Sequence, residues 1–269
     1  LLFGAFGKGK NMAISMASLR RSTEVKAPRI MLHAVHGIGK TSLGAGMPKP
    51  VILQTEDGLG MIEMPTFGLL KSYAEVMETI ASLYSEDHEF ETVVLDSLDW
   101  LEPLVWAETC RLNNWKDIEQ PGYGKGYAAS LDTWRGILDG LNALRDERKM
   151  TIAMIAHTEP KRFESPEVEA YDRYAPKLQK AASALVQEHV DCVWFMNYRV
   201  SVVKDDKKDP SSRARGVGGG QRVLYTTERP SHLAKNRYRM PESISLPDDP
   251  ESMWPTIAQH IPYFATSKE

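Results

Sequence analysis

Residues 30–43, IMLHAVHGIGKTSL, constrain this chain more than any other stretch: a short apolar run, a glycine-bearing turn, then Gly-Lys-Thr. In the phosphate-binding P-loop, successive backbone N–H groups curl around an anion, a lysine reaches its outer oxygens, and the hydroxyl that follows ligates magnesium. Gly37, Gly39, Lys40 and Thr41 occupy those places, with His36, Ile38 and Ser42 completing the cradle for a nucleoside triphosphate. Ala34 stands where the pattern has its first glycine, which is tolerable only if the backbone there needs no positive φ and leaves room for a methyl group. Gly-Lys-Ser/Thr alone arises by chance in about one chain in ten of this size, so its setting must carry the reading. Residues 30–34 read as a buried strand and 41–45 as the start of a helix, the strand–loop–helix arrangement that phosphate binding requires. The competing reading is an ordinary glycine turn.

Composition narrows the rest. With 269 residues, 42% of them apolar, the chain can bury one substantial core, and two large domains are not expected. The formal charge of −3 gives no global field for a polyanion, so nucleic-acid contact has to be local and salt-sensitive. Cys110 and Cys192 are far apart with no CxxC or Cys/His cluster, which supports neither a disulfide framework nor a zinc site. No apolar run reaches membrane-spanning length, so the expectation is a cytoplasmic protein without membrane contact. The first 23 residues hold Lys8, Lys10, Arg20 and Arg21 but no acid, and residues 1–27 read as an N-terminal arm, flexible or in part foreign to the native protein, with Met12 or Met16 as candidate starts.

Along the chain, VILQT at 51–55 reads as a second strand ending in Glu56-Asp57-Gly58, 72–84 as a helix, and TVVL as a third strand ending at Asp96. Another helix follows, then a glycine- and aromatic-rich loop at 113–129 and a long amphipathic helix to about residue 147. TIAMIA, 151–156, is a fourth strand capped by His157; 158–176 is polar without a period; 178–189 is helical. Strands are expected at 192–203, 222–228 and 232–235, with 204–221 a mobile surface loop and 248–269 a C-terminal tail after a core spanning 28–247. This order implies an α/β fold, a mostly parallel sheet flanked by helices with antiparallel edge strands. Ligands of such sheets bind beyond the carboxyl ends of the strands, where the P-loop, Glu56, Asp96 and His157 all fall.

Phosphoryl transfer to water needs charge neutralisation, a held magnesium ion and an oriented nucleophile. Thr41 and Asp96 are the candidate Mg2+ ligands, although Asp96 with Ser97 also suits a helix N-cap. Glu56 is the candidate general base or water-orienting carboxylate, with Asp57 in reserve and a solvated turn acid as the alternative. Lys40 would neutralise phosphate charge, and His157 would hydrogen-bond the γ-phosphate and report its loss, unless it is a satisfied histidine at a strand end. His33 and His36 read as loop packing, and Trp100, Trp106, Trp115 and Trp134 as core or interface groups.

The motifs HAVHGIGKT, LQTEDGL, TVVLDSLDWL and MIAHTEP together resemble the RecA-like branch of P-loop ATPases, in particular small phage-encoded ATPases of recombination and single-strand annealing. HLAKNRYRMP, 232–241, resembles the Lys-x-Arg element that RecA-like hexameric helicases direct at a neighbour's ATP, with Lys235 and Arg237 in its two basic places. The resemblance implies a RecA-like core, ATP and Mg2+ as ligands, and a homo-oligomeric ring or filament with Lys235 and Arg237 acting in trans. It also implies single-stranded DNA on the loops after the third and fourth core strands, 113–128 and 158–177, with single-strand-binding or recombination proteins as partners. Lys116, Tyr123, Lys125, Lys161, Arg162, Arg173, Tyr174 and Lys177 are the candidate DNA contacts, set against Glu159, Glu164, Glu167, Glu169 and Asp172 in the second loop. If the protein is phage-encoded, it works in the host-cell cytoplasm. Two other readings stay open: a small-molecule or nucleotide kinase, and a nucleotide switch that does not hydrolyse.

Overall fold

The computed structural model describes residues 25–204 and 214–265, with Met16 and Leu19 ahead of them. The chain opens with β1 (Arg29–Ala34), α1 (Lys40–Ala45), β2 (Pro50–Gln54), β3 (Thr66–Leu69), α2 (Tyr73–Ser85) and β4 (Thr92–Asp96). Then come α3 (Leu98–Asn113), α4 (Lys125–Glu147), β5 (Thr151–Phe163), β6 (Tyr171–Pro176), α5 (Lys180–His189) and β7 (Cys192–Tyr198). The remainder is β8 (Ser201–Lys204), β9 (Ala214–Val217), β10 (Arg222–Tyr225), β11 (Lys235–Asn236), β12 (Ser243–Ser245), α6 (Pro250–Ala258) and α7 (Pro262–Ala265).

One sheet runs in the order β12-β10-β7-β1-β5-β4-β2-β3, with β11 on β7 and β6 on β5. Its centre, from β7 to β3, is parallel, and β10, β12, β11 and β6 pair antiparallel. The fully buried runs of β1, β2 and β4 are what a sheet covered on both faces demands. On one face, Leu95, Ile152 and Met154 pack with Val76, Leu101, Trp134, Leu141 and Val186 of α2–α5. On the other, Ile30, Leu32 and Val94 pack with Leu43 of α1 and with Met253, Trp254 and Ile257 of α6. The expected α/β architecture is met. Among the described residues, no helix is long and apolar enough to cross a membrane.

Four differences from the sequence reading have local causes. Residues 158–176 are not an irregular loop: β5 runs on past His157 and pairs with β6 from Thr158↔Pro176 to Phe163↔Tyr171. The hairpin is mostly half-buried or exposed and mixes charged with aromatic residues, so its sequence carries no apolar alternation. The loop expected to reach residue 129 ends sooner, because α4 starts at Lys125. A Cβ on Gly126 would lie 1.8 Å from the Ile118 carbonyl oxygen, so glycine lets the first turn of α4 press against the loop before it.

The strand expected at 192–203 is broken into β7 and β8; β8 pairs with β9 inside the stretch expected to be a mobile loop, of which residues 205–213 lie outside the described residues. Finally, residues 250–258, read as part of a tail, form α6. Asp249 caps it by accepting from the backbone N–H groups of Glu251 and Ser252, Pro250 presets the first turn, and the helix packs on α1.

Candidate active site at the strand ends

The loop from β1 to α1 turns through two left-handed glycines, Gly37 at φ 70° and Gly39 at φ 102°. At Gly37 a Cβ would meet nothing within 4 Å, so the left-handed φ rather than crowding is what calls for glycine there. Ala34 is fully buried and has no positive φ, which meets the condition for replacing the pattern's first glycine. Lys40 opens α1 and is only 7% exposed, with Nζ 3.4 Å from the Val35 carbonyl oxygen. Burial holds its ammonium below the usual lysine range, against the pull of the Asp96, Glu56 and Asp99 carboxylates.

Asp96 ends β4, its backbone in register with Gln54 of β2 and Ile155 of β5. Its Oδ2 accepts a 2.6 Å hydrogen bond from Thr41 Oγ1, so the two candidate magnesium ligands already touch. Burial raises the Asp96 carboxyl above its usual value, and the Thr41 hydrogen bond opposes that rise. Glu56, just past β2, accepts from Ser97 Oγ at 3.1 Å. Thr55 and Ser97 lock the two strand ends together, with Thr55 Oγ1 donating to the Ser97 carbonyl at 2.7 Å and accepting from its N–H at 2.9 Å.

His157 of β5, in register with Ala34 at the end of β1, sits 3.8 Å from Glu56 Oε2 and stacks on His36 of the phosphate loop with ring centroids 4.2 Å apart. Asp99 in the first turn of α3 takes both of its N–H groups: the backbone N–H at 2.9 Å and Nδ1 at 2.9 Å. Sequence reading missed Asp99. The signal was there in LDSLDW, because an acid three residues past Asp96 falls in the helix's first turn, beside the same strand ends. A cavity of about 360 Å3 opens at these strand ends, with Leu59 and Ile62 among its apolar lining. His36, Gly37, Gly39, Lys40, Thr41, Ser42, Glu56, Asp96 and His157 all line it, while Ile38 is buried in the core beneath.

Lys235 and Arg237 lie elsewhere. β11 pairs with Val193 and Cys192 at the start of β7, which runs parallel to β1, so both residues sit at the end of the sheet opposite the P-loop. Lys235 Nζ donates to the carbonyls of Gln187 at 2.6 Å and Val190 at 2.7 Å, capping the end of α5. Arg237 is half exposed and reaches Asp191 Oδ1 at 3.3 Å. Neither approaches the cavity of its own chain.

The candidate DNA contacts divide as well. Lys116, Lys125, Arg162 and Lys177 are exposed and Tyr123 is fully so. Lys161 is engaged with Glu159 and the Leu178 carbonyl, and the Arg173 guanidinium lies 3.9 Å over the Phe163 ring while pairing with Glu228. Tyr174 is half-buried: its ring stacks on Phe195 at 5.2 Å, and its backbone bridges to His232.

A mostly parallel sheet with a phosphate loop, an acidic strand end and a polarised cavity between them defines a P-loop nucleoside-triphosphatase core. The chain belongs to the AAA domain family, which matches residues 26–238. Among solved structures it is similar to the RadB recombinase, at 14% identity and a TM-score of 0.44, over 84% of this chain and 90% of that one. No curated protein matches the chain.

Proposed function

We propose that this protein binds and hydrolyses ATP with Mg2+, and that it couples hydrolysis to single-stranded DNA in recombination or strand annealing, with ATP held between subunits. The observation that carries the hydrolytic part is the gathering of Lys40, Thr41, Asp96, Glu56 and His157 around one cavity. The residues fit the ligands: Gly37 leaves room for phosphate oxygens against backbone N–H groups, and Thr41 with Asp96 makes an all-oxygen pair suited to magnesium. Thr41 and Asp96 would hold Mg2+, which would supply charge neutralisation to the phosphates.

The chain's own groups then have distinct tasks. The loop N–H groups and Lys40 hold the phosphates; Glu56 orients a water in line with the γ-phosphorus and takes its proton as ADP leaves. His157, fixed by Asp99, hydrogen-bonds the γ-phosphate, and the strand it ends continues into the β5–β6 hairpin. Loss of that contact is therefore transmitted to a surface element. Exposed Lys116, Lys125, Arg162 and Lys177, with Tyr123, supply backbone and stacking contacts to a single strand. Arg237 lies at the far end of the sheet from its own cavity, so in this reading it acts on a neighbouring subunit's nucleotide.

The test is ATP turnover with and without single-stranded DNA, for the wild type, Lys40→Ala and Arg237→Ala. DNA stimulation that disappears in both variants supports the reading. Turnover indifferent to DNA and to Arg237 would point to a small-molecule phosphate acceptor, and nucleotide binding without turnover to a switch.

A further inference from the structure

A second cavity of about 370 Å3 lies beside the nucleotide site, and Asp99 links the two: it lines this groove and hydrogen-bonds His157, which lines the first cavity. The groove is bounded by Glu102 and Trp106 of α3, Tyr127 of the first turn of α4, Glu159 at the root of the hairpin, and Lys177 just before α5. Its walls thus come from the feet of both surface segments named above as DNA contacts. Trp106 and Tyr127 stand edge to face, ring centroids 5.3 Å apart and planes at 67°, giving the groove an aromatic corner. Its size is that of a small-ligand pocket.

Three acids in such a groove would ordinarily repel a polyanion, but each is engaged. Asp99 is hydrogen-bonded by His157, Glu159 pairs with Lys161 at 3.2 Å, and Glu102 accepts the Gln179 N–H at 3.0 Å on both oxygens. Burial pushes the Glu102 carboxyl up to about 7, so it is largely uncharged in mildly acidic solution and partly so at neutrality. Lys177 is exposed and supplies a cation to the rim.

The geometry points to a nucleobase-binding groove: one base of a bound single strand stacks against the aromatic corner that Trp106 forms with Tyr127, while Lys177 holds the adjoining phosphodiester. This rests on the single-stranded-DNA reading above and adds a specific base subsite to it. Because Asp99 lies between groove and His157, a seated base presses on the residue that orients the γ-phosphate contact.

The experiment compares binding of a fluorescently end-labelled oligothymidylate with that of an equally long abasic phosphodiester strand, using the full chain with a non-hydrolysable ATP analogue and Mg2+. Base stacking on aromatic side chains predicts that the wild type prefers the base-bearing strand by about five- to a hundredfold. Trp106→Leu should bind both strands at the abasic level, and Trp106→Phe should keep the preference. In the wild type oligothymidylate should also quench tryptophan emission, a signal that Trp106→Phe loses without losing affinity. Equal wild-type binding of the two strands, or a preference that survives Trp106→Leu, overturns the groove while leaving DNA binding intact. If the wild type binds neither strand, the DNA reading itself falls and the groove with it.

Discussion

Asp99 grips His157 twice, through the backbone N–H and through Nδ1, each at 2.9 Å. The carboxylate fixes the imidazole's orientation and, by accepting from Nδ1, leaves Nε2 out of that contact, on a residue that lines the nucleotide cavity. The histidine's attraction holds Asp99 below the usual carboxylate range despite its burial. Asp99 is thus a positioning residue, one step removed from phosphate.

Asp99→Asn is expected to lower kcat for ATP about 10- to 100-fold while leaving KM nearly unchanged, since an orienting partner contributes mainly in the transition state. Steady-state kinetics across pH separates this from a structural role. A raised KM with unaltered kcat and pH profile would show that Asp99 merely holds the end of α3 in place.

Thr41→Ala removes the hydroxyl that bonds Asp96 Oδ2. Two effects should appear together: a higher Mg2+ requirement for turnover, and a destabilisation of about 1–3 kcal/mol without magnesium, because a buried carboxylate loses its donor. Magnesium titration and urea unfolding measure them, and Thr41→Ser should restore both.

The two basic residues of the Lys-x-Arg element should part company on mutation. Lys235→Ala leaves the last carbonyls of α5 without their cation and should cost about 1–2 kcal/mol in stability. Arg237→Ala removes one of several partners of Asp191, which keeps Arg29 at 3.0 Å and Arg145 at 3.5 Å, so stability should change by less than about 1 kcal/mol. Its effect should instead be on turnover of the assembled protein. Unfolding curves and ATPase assays at several protein concentrations test the contrast; a large stability loss in Arg237→Ala would remove it from consideration as a group acting on a neighbour.

What could be read in the sequence was whatever leaves a periodic or spaced trace. The apolar runs of β1, β2 and β4 announce a doubly covered sheet, and Gly-Lys-Thr with Asp96, Glu56 and His157 at successive strand ends announces the cavity. The β5–β6 hairpin left no trace because it mixes charged with aromatic residues without an apolar alternation, and β3 because its Phe67 and Leu69 lie exposed at the sheet edge. That Tyr174 shares a stack with Phe195 was not legible either, because it depends on the cross-strand register of β5 and β6. Asp99 and Glu102 were hidden for a different reason: their partners, His157 and Gln179, are 58 and 77 residues away.

Glu102 gives the chain a distinctive pH dependence. Its carboxyl, 6% exposed, is raised from 4.5 to about 7, first by burial, with the Gln179 N–H pulling the other way. Between those two values the folded protein keeps a proton that the unfolded chain has released, so the unfolded state binds fewer protons and stability falls as pH rises. Below 4.5 both states are protonated and above 7 both are charged, so the group adds no slope there. Glu102→Gln retains one acceptor for the Gln179 N–H but cannot ionise. Relative to wild type, the variant should therefore gain about 3 kcal/mol between pH 4.5 and 7 and nothing further above it. Paired urea unfolding curves at half-unit pH steps measure the difference; a wild-type-minus-variant stability that stays flat across this window would show that Glu102 ionises like an exposed carboxylate, with water reaching it from the groove.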